Sequence, residues 1–275
     1  MREPAEQPPM TGKTETPPER HLLLSLTNDA SAAQARTALD RLLTDAPAIA
    51  DLLPAGFLDA AQRFVALLLD ANRRLNLTRL TLPDDVARLH LLDSLAALPI
   101  VDQMHPGQVI DLGSGGGLPG LPLALARPEV RWTLVDSAGK KAAVLVGLVE
   151  ALEMRNVTVL AQRAEALGRD ARHRERYDLV TARACASLPV LAELALPLLA
   201  VSGSLLAWKG PLDPADEEVR RGRAAIGQLG GGPLMIRETG VPALGGHRFV
   251  IVPKTRPTHA SYPRRDGEPG RRPLG

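Results

Sequence analysis

The spacing of apolar residues changes near Gly107 and divides the chain into two parts. Before this point, apolar side chains recur every three or four positions, which is the period of an amphipathic helix. This spacing predicts helices over residues 31–53, 56–74 and 83–98. Together these helices define an N-terminal helical segment that spans residues 26–105.

Short apolar runs replace this pattern after Gly107, and helical stretches separate most of them. The runs predict strands over residues 108–112, 131–136, 157–160, 178–181, 204–208, 234–238 and 248–253. Alternation of strands and helices is typical of a mostly parallel sheet with helices on both faces. The sequence therefore predicts an α/β domain over residues 106–254.

Both ends of the chain depart from these patterns. Residues 1–25 contain few large apolar groups and many Pro, Glu and Thr residues. Such a stretch cannot bury enough surface to offset the entropy of ordering, so we expect a disordered tail. Residues 255–275 form a basic tail rich in Pro and Gly. It has two interpretations, a solvated extension or an arm whose arginines contact phosphates.

Composition narrows the class of protein. Hydrophobic residues make up 45% of the chain, and the formal net charge is only +2. No apolar run approaches the ~20 residues that span a bilayer, and residues near the N-terminus lack the apolar stretch of a secretion signal. The single cysteine argues against a disulfide framework and a cysteine-rich zinc site. We therefore expect a soluble cytoplasmic protein without a metal site.

A glycine-rich turn follows the first predicted strand. Residues 111–120 read Asp-Leu-Gly-Ser-Gly-Gly-Gly-Leu-Pro-Gly, and a helical pattern comes next. Glycines permit a tight turn and close approach of a ligand, and the N–H groups of the next helix face that ligand. Asp136 ends the second strand, where an acid can bind ribose hydroxyls, although it can also cap a helix.

Two classes of cofactor fit this turn. Gly115, Gly117 and Gly120 have the spacing of a dinucleotide site, as in an NAD-dependent dehydrogenase. The order Asp111, Gly113, Gly115 instead resembles the nucleotide loop of class I S-adenosylmethionine methyltransferases. No acid or base suited to hydride transfer is evident downstream, which favours a methyltransferase.

The residues after the fourth predicted strand limit which atom of a base can accept the methyl group. Methylation of an exocyclic amine commonly uses an Asp/Asn-Pro-Pro-aromatic loop, which residues 181–187 lack. Methylation of pyrimidine C5 needs a thiolate, and Cys185 lies in an alanine-rich stretch that predicts a small buried side chain. Guanine N7 has a free lone pair and needs no base, so proximity and alignment can supply roughly 7–11 kcal/mol. The sequence is consistent with N7 chemistry and identifies no catalytic residue.

Several blocks of the chain together resemble one family. These blocks are residues 72–78, 90–95, 111–122, 134–141, 163–165, 181–184, 207–210 and 262–274. From about residue 57 onward, the chain is similar to the bacterial 16S rRNA guanine-N7 methyltransferases, the RsmG or glucose-inhibited division protein B family. The resemblance implies a Rossmann-like class I methyltransferase fold with a seven-stranded sheet whose last strand is antiparallel. It also implies methyl transfer from S-adenosylmethionine to N7 of guanine 527, in the 530 loop of 16S rRNA.

The resemblance assigns candidate residues to the site. The cofactor-binding candidates are Gly113, Leu118, Asp136, Ser137, Ala164, Glu165 and Arg183. The candidate RNA contacts are Asn76, His90, Lys140, Lys209, Arg264 and Arg265. Alternative roles stay open for His90 in packing, for Glu165 as a solvent-facing residue and for the two lysines as solvated charges.

The implied partner is 16S rRNA, free, within the small ribosomal subunit or in an assembly intermediate. No membrane and no obligate protein partner is expected. Two other functions remain open at this point. One is a small-molecule methyltransferase or NAD-dependent dehydrogenase with the same fold, and the other is a non-catalytic RNA-binding assembly factor.

Overall fold

The computed structural model describes residues 26–275, so the tail predicted over residues 1–25 lies outside the described residues. The helices are α1 (Leu26–Thr44), α2 (Pro47–Ala50), α3 (Phe57–Leu75), α4 (Pro83–Asp85), a π-helical stretch (Val86–Leu92), α5 (Asp93–Leu95), α6 (Leu98–Met104), α7 (Gly120–Ala126), α8 (Gly139–Ala151), α9 (Ala164–Arg169), α10 (Leu188–Ala195), α11 (Glu217–Gln228), a 3-10 turn (Pro242–Leu244) and α12 (Glu268–Arg271). The strands are β1 (Gln108–Leu112), β2 (Arg131–Val135), β3 (Val157–Leu160), β4 (Tyr177–Arg183), β5 (Leu199–Lys209), β6 (Met235–Glu238) and β7 (Arg248–Pro253).

The strands form a single sheet in the order β3-β2-β1-β4-β5-β7-β6. Strands β1 to β5 are parallel, whereas β7 runs antiparallel to both of its neighbours. The seven-stranded, mostly parallel sheet and its antiparallel last strand are therefore confirmed. The strand order reverses between β1 and β4, and open α/β sheets bind ligands at the carboxyl ends of the strands beside such a reversal.

The strand registers bring the predicted site residues to one edge. Leu112, the last residue of β1, pairs with Val135 on β2 and with Ala182 on β4. The next residues, Gly113, Asp136 and Arg183, therefore lie side by side at this edge. Gly113 and Asp136 follow the ends of β1 and β2, whereas Arg183 is the last residue of β4 and pairs with Trp208 on β5.

Helices cover both faces of the sheet, and two apolar cores result. Neighbouring strand residues point to opposite faces, so Val109 joins the core beneath the N-terminal helical segment and Ile110 joins the core beneath α10 and α11. Trp132 is buried in the first core, where full burial of a large apolar side chain contributes roughly 1.5–3 kcal/mol. The helical segment is thus part of the domain's own core.

Two predicted helices differ from the observed ones for local reasons. The helix predicted over residues 31–53 ends at Thr44 because Pro47 disfavours helical geometry at the residue before it. Residues 83–95 are helical as predicted, but seven of them have π-helical hydrogen bonding. The longer spacing of a π-helix cannot be read from apolar periodicity.

Residues 255–275 pack against the domain, which excludes their interpretation as a solvated extension. The Arg174 guanidinium donates hydrogen bonds to the carbonyl oxygens of Thr258, His259 and Tyr262. The Arg264 guanidinium pairs with Glu193, a fully buried residue of α10. Such partners are distant in sequence, so the composition of the segment could not reveal them.

No helix within residues 26–275 combines the length and hydropathy needed to cross a membrane.

Candidate functional site

The glycine loop, residues 113–119, leaves β1 in a conformation that requires glycine. Gly113 is exposed and has a φ of 70°, a left-handed value that side chains disfavour. A Cβ atom there would lie 3.1 Å from the Cys185 Sγ. The backbone N–H groups of Gly113 and Ser114 both donate to the carbonyl oxygen of Val135, which ties the loop to β2. The loop therefore presents bare backbone at the edge of the sheet.

Asp111 lies beneath this loop as a fully buried carboxyl group. Its Oδ1 accepts a hydrogen bond of 2.7 Å from the Thr181 hydroxyl on β4. Its Oδ2 has no hydrogen-bond partner among the described residues. Burial raises the pKa of Asp111 to about 6, despite hydrogen bonds that favour the charged form. A Cβ on Gly120 would lie 2.9 Å from Oδ2, so the glycine at the start of α7 makes room for the carboxyl group.

Asp136 connects β2 to the glycine loop. Its Oδ2 accepts the Gly115 N–H at 3.1 Å, and its Oδ1 accepts the Ala138 N–H at 2.8 Å. The second contact closes a turn before α8, whose N-cap is Ala138 and has no side-chain cap, so the alternative of Asp136 as a helix cap is not observed. Each carboxylate oxygen can accept more than one hydrogen bond, so the arrangement leaves capacity for ribose hydroxyls. Ser137 and Lys140 follow as exposed residues at the start of α8.

Glu165 supplies a third carboxylate at this edge, after β3. It is buried, and its Oε1 accepts the Gly267 N–H at 2.8 Å and lies 3.6 Å from the Arg163 guanidinium. The interpretation of Glu165 as a solvent-facing residue is therefore wrong, because residues 255–275 fold over it. The neighbouring Ala164 is half-buried.

Cys185 lies above Gly113, within electrostatic range of the carboxylates of Asp111, Asp136 and Glu165. The expected burial of Cys185 is wrong, since it is exposed on the loop that follows β4. Its neighbour Ala184 has a φ of 51°, which turns the chain away from the sheet. Partial burial of the thiol by the loop raises its pKa to about 11, and the carboxylates of Asp111, Asp136 and Glu165 add to this increase. A thiol held neutral in this way is a poor nucleophile.

Arg183 joins the sheet to the N-terminal helical segment. Its guanidinium donates to the Asp93 Oδ2 at 2.9 Å and to the carbonyl oxygen of Leu89 at 3.0 Å. The Nδ1 of His247 lies 2.8 Å from the other carboxylate oxygen of Asp93. The Trp208 Nε1–H donates to the backbone carbonyl oxygen of Asp93. Asp93 is thus a buried hub that links β4, β5 and the residue before β7. The resemblance of residues 90–95 to the family did not reveal this role.

Lys209 has partners inside the protein. Its ammonium group donates to the carbonyl oxygen of Ala186 at 3.0 Å and to the Glu218 Oε1 at 2.7 Å. The role of Glu218 could not be predicted from the sequence, because the contact depends on how α11 packs beside β5. The contact of Lys209 with RNA stays a prediction, and the Lys209 charge already has a partner within the protein.

The other candidate RNA contacts fall into two groups. Asn76 ends α3 in a left-handed conformation and is exposed, as are Lys140 and Arg265. Arg264 instead pairs with buried Glu193. His90 is buried, and its Nε2 lies 2.7 Å from the Thr78 hydroxyl, which favours the packing role.

The environment of His90 predicts a pH-dependent stability. Burial, together with the nearby Arg183 charge, lowers its pKa from 6.5 to about 4. Unfolding therefore takes up a proton between these values, and the free energy of unfolding falls as the pH decreases through this window. We expect His90 to account for a loss of about 2 kcal/mol between pH 7 and pH 5.

Comparison of the H90N variant with the wild-type protein isolates this effect. Asp111 acts in the opposite direction, because its raised pKa makes the folded state bind a proton first as the pH decreases. Urea unfolding at the two pH values should show a smaller loss of stability for H90N. Replacement of exposed His105, which has a φ of 46° that asparagine tolerates, is the matched control. An equal pH dependence of H90N and H105N would contradict the prediction.

The helical segment also supports the glycine loop directly. A Cβ on Gly116 would lie 2.8 Å from the Leu68 side chain and 3.5 Å from that of Leu77. Leu118, a predicted cofactor contact, is buried in the core that contains Leu68. The conformation of the loop therefore depends on α3 and on the residues that follow it.

The donor set at this edge suits an adenosine-containing cofactor. Three features lie together here: the exposed backbone of Gly113, the Asp111 oxygen that lacks a hydrogen-bond partner, and the Asp136 carboxylate at the end of β2. Within residues 26–275, no group of three or more His, Cys, Asp or Glu side chains is placed to hold a metal ion.

Comparison with known proteins identifies the family. A family model described as GidB, rRNA small subunit methyltransferase G, matches residues 58–240. The ribosomal RNA small subunit methyltransferase G of Roseiflexus sp. (strain RS-1) is 46% identical over 236 residues, which cover 86% of this chain and 100% of the relative. The protein of the same name from Deinococcus radiodurans is 47% identical over 213 residues, which cover 77% of this chain and 83% of the relative.

A solved structure supports the fold. The citrinin polyketide synthase CMeT domain aligns with a TM-score of 0.51 at 14% identity, over 80% of this chain and 69% of that one. At this identity the likeness concerns the fold alone, a Rossmann-like methyltransferase fold. The family match and the two relatives carry the assignment. The chain belongs to the rRNA small subunit methyltransferase G family.

Proposed function

We propose that the protein transfers a methyl group from S-adenosylmethionine to N7 of guanine 527 in 16S rRNA, in the cytoplasm. The observation that carries this proposal is the glycine loop over Asp111, with Asp136 beside it, at the strand-order reversal of an rRNA methyltransferase family member. The residues proposed to hold the cofactor are Gly113, Leu118, Asp136, Ser137, Ala164, Glu165 and Arg183.

The roles of these residues follow from their contacts. When bound, S-adenosylmethionine supplies an electrophilic methyl group on its sulfonium. Asp136 binds the ribose while it fixes the loop through Gly115. The exposed backbone of Gly113 lets the ligand approach closely. Arg183, held by Asp93, closes the edge on the side of the helical segment.

No side chain of the site needs to act as a base in this proposal. Guanine N7 carries a free lone pair, so no proton leaves the acceptor before transfer. The protein contributes by aligning the two reactants and excluding water, for which proximity alone can supply roughly 7–11 kcal/mol. The neutral thiol of Cys185, whose pKa is about 11, fits this scheme because it is not used as a nucleophile.

The RNA contacts are proposed for the exposed candidates, Asn76, Lys140 and Arg265. Folded RNA is recognised mainly through its shape and phosphates, and the target base has to leave its stack to reach a recessed site. His90, Lys209 and Arg264 have intramolecular partners and contribute by holding the surrounding structure.

Methylation of 16S rRNA from a strain that lacks this modification tests the proposal. Purified protein and S-adenosylmethionine are incubated with free rRNA, with small subunits and with assembly intermediates. Methylation at N7 sensitises guanine to borohydride reduction and aniline cleavage, so we expect one new cleavage site, at guanine 527. Small subunits with adenine at this position are the matched control. Absence of cleavage in all three substrates, or cleavage elsewhere, would refute the proposal.

A further inference from the structure

The loop between β4 and α10, residues 184–187, lies over the glycine loop. Ala184 begins this β4–α10 loop with a φ of 51°. The side chain of Cys185 then lies 3.1 Å (Sγ) and 3.4 Å (Cβ) from the position that a Cβ on Gly113 would occupy. Strands β1 and β4 are neighbours, so a ligand held by Gly113 has the β4–α10 loop as its opposite wall.

A small polar cluster fixes the far side of this loop. The Glu218 Oε1 accepts the Leu188 N–H at 2.8 Å, immediately after the loop. The same oxygen accepts a hydrogen bond of 2.7 Å from the Lys209 ammonium, which also donates to the Ala186 carbonyl oxygen at 3.0 Å. Glu218 thus holds one end of the loop directly and its middle through Lys209.

The packing of α11 gives Glu218 a defined position. A Cβ on Gly222, one turn further along α11, would lie 2.9 Å from the Leu188 Cβ, so the two helices are in close contact there. The Lys209 side chain is only 17% exposed, which strengthens its pairing with Glu218 relative to a surface pair. Burial alone would raise the pKa of Glu218, but the Lys209 ammonium and the Leu188 N–H outweigh it and lower the pKa.

We propose that Glu218 is a positioning residue for methyl transfer, because it keeps the β4–α10 loop closed over Gly113 as the opposite wall of the site. This inference rests on the proposed function. Glu218 itself does not contact the glycine loop in these interactions. Its effect passes through Leu188, Lys209 and Ala186 to the loop.

The reactivity of Cys185 provides a direct test, because it is the only cysteine of the 275-residue chain. Cys185 is exposed on the loop, and its thiol has a pKa of about 11 because of partial burial and of nearby carboxylates. Release of the loop from the glycine loop lowers this pKa, so the rate of alkylation by iodoacetamide at one fixed alkaline pH reports how firmly the loop is held. We expect E218A to increase this rate about tenfold, since the two hydrogen bonds to one charged oxygen, from the Leu188 N–H and the Lys209 ammonium, are lost. E218Q, which keeps an oxygen for the Leu188 N–H, should show a smaller increase.

The matched control is E217A, one residue earlier on α11. Glu217 is exposed and pairs with Arg220 on the same helix. Its replacement should leave the alkylation rate at the wild-type value. Equal rates in E218A and E217A would overturn the proposal. If E218A does not fold, as judged by circular dichroism, the comparison is made between E218Q and E217Q, and equal rates again overturn it.

Kinetics separate positioning from a purely structural role. We expect E218A to lower kcat for rRNA methylation about tenfold relative to E217A, while the KM for S-adenosylmethionine changes less than about threefold. Faster alkylation with unchanged kcat would overturn the positioning role. The alkylation experiment needs no rRNA, so it tests this inference independently of the proposed function. Failure of the proposed function would instead appear as absence of rRNA methylation by the wild-type protein.

Discussion

The D136A variant is expected to bind S-adenosylmethionine about 100-fold more weakly than the wild-type protein, because several hydrogen bonds to a charged group are lost together. The variant removes the acceptor for the Gly115 and Ala138 N–H groups and the carboxylate proposed to hold the ribose. Calorimetric titration measures this loss, and a parallel titration with NAD tests the dehydrogenase alternative. Binding of NAD without binding of S-adenosylmethionine would refute the assignment of the cofactor.

Asp178 offers a matched control for this variant. Its Oδ2 also accepts two backbone hydrogen bonds, both of 2.8 Å, from Gly107 and Gln108. These contacts lie at the amino end of β1, opposite the glycine loop. D178A should therefore lose stability in a comparable way and retain its affinity for S-adenosylmethionine. Equal losses of affinity in D136A and D178A would show that the effect is general instability.

The R264A variant is expected to lower the free energy of unfolding by about 3–5 kcal/mol, because it leaves a buried carboxylate without its counter-charge. Glu193 is fully buried, and its two oxygens accept hydrogen bonds from the backbone N–H and guanidinium of Arg264. Urea unfolding monitored by circular dichroism measures the change. The pair also holds residues 255–275 against α10, so the variant removes both a charge pair and an attachment.

Arg265 provides the control for R264A. It is the next residue and it is exposed. Replacement of an exposed side chain without buried partners usually changes stability by less than about 0.5 kcal/mol. If R265A is destabilised as much as R264A, the loss comes from disturbing the segment and not from the buried ion pair.

The sheet could be predicted well from the sequence for a physical reason. Central parallel strands are buried on both faces, so they read as short apolar runs between helical stretches. The runs beginning at Gln108 and Arg131 match the central strands β1 and β2 closely, and the run beginning at Val157 matches the edge strand β3. The break at Pro47 and the π-helical stretch (Val86–Leu92) could not be predicted in the same way, since both leave the apolar spacing nearly unchanged.

The glycine loop could be recognised because its requirements are local. Left-handed backbone and close packing demand glycine at defined positions, and Gly113 shows both. The partners of charged residues are not local. Lys209 and Arg264 look alike as solvated charges in the sequence, yet they pair with Glu218 and Glu193. Contacts of this kind follow from the packing of α10 and α11, which apolar spacing does not specify.

The Asp93 hub has a consequence for the order in which the protein is made. The partner of its carboxylate, His247, lies 154 residues later in the chain. At typical synthesis rates the ribosome needs about 10–30 s to add that many residues. During this interval the helical segment has already been synthesised, but the Asp93 carboxylate, which is buried in the folded protein, still lacks His247 as a partner. The contact between Asp93 and His247 can therefore form only late in translation, once His247 has been added.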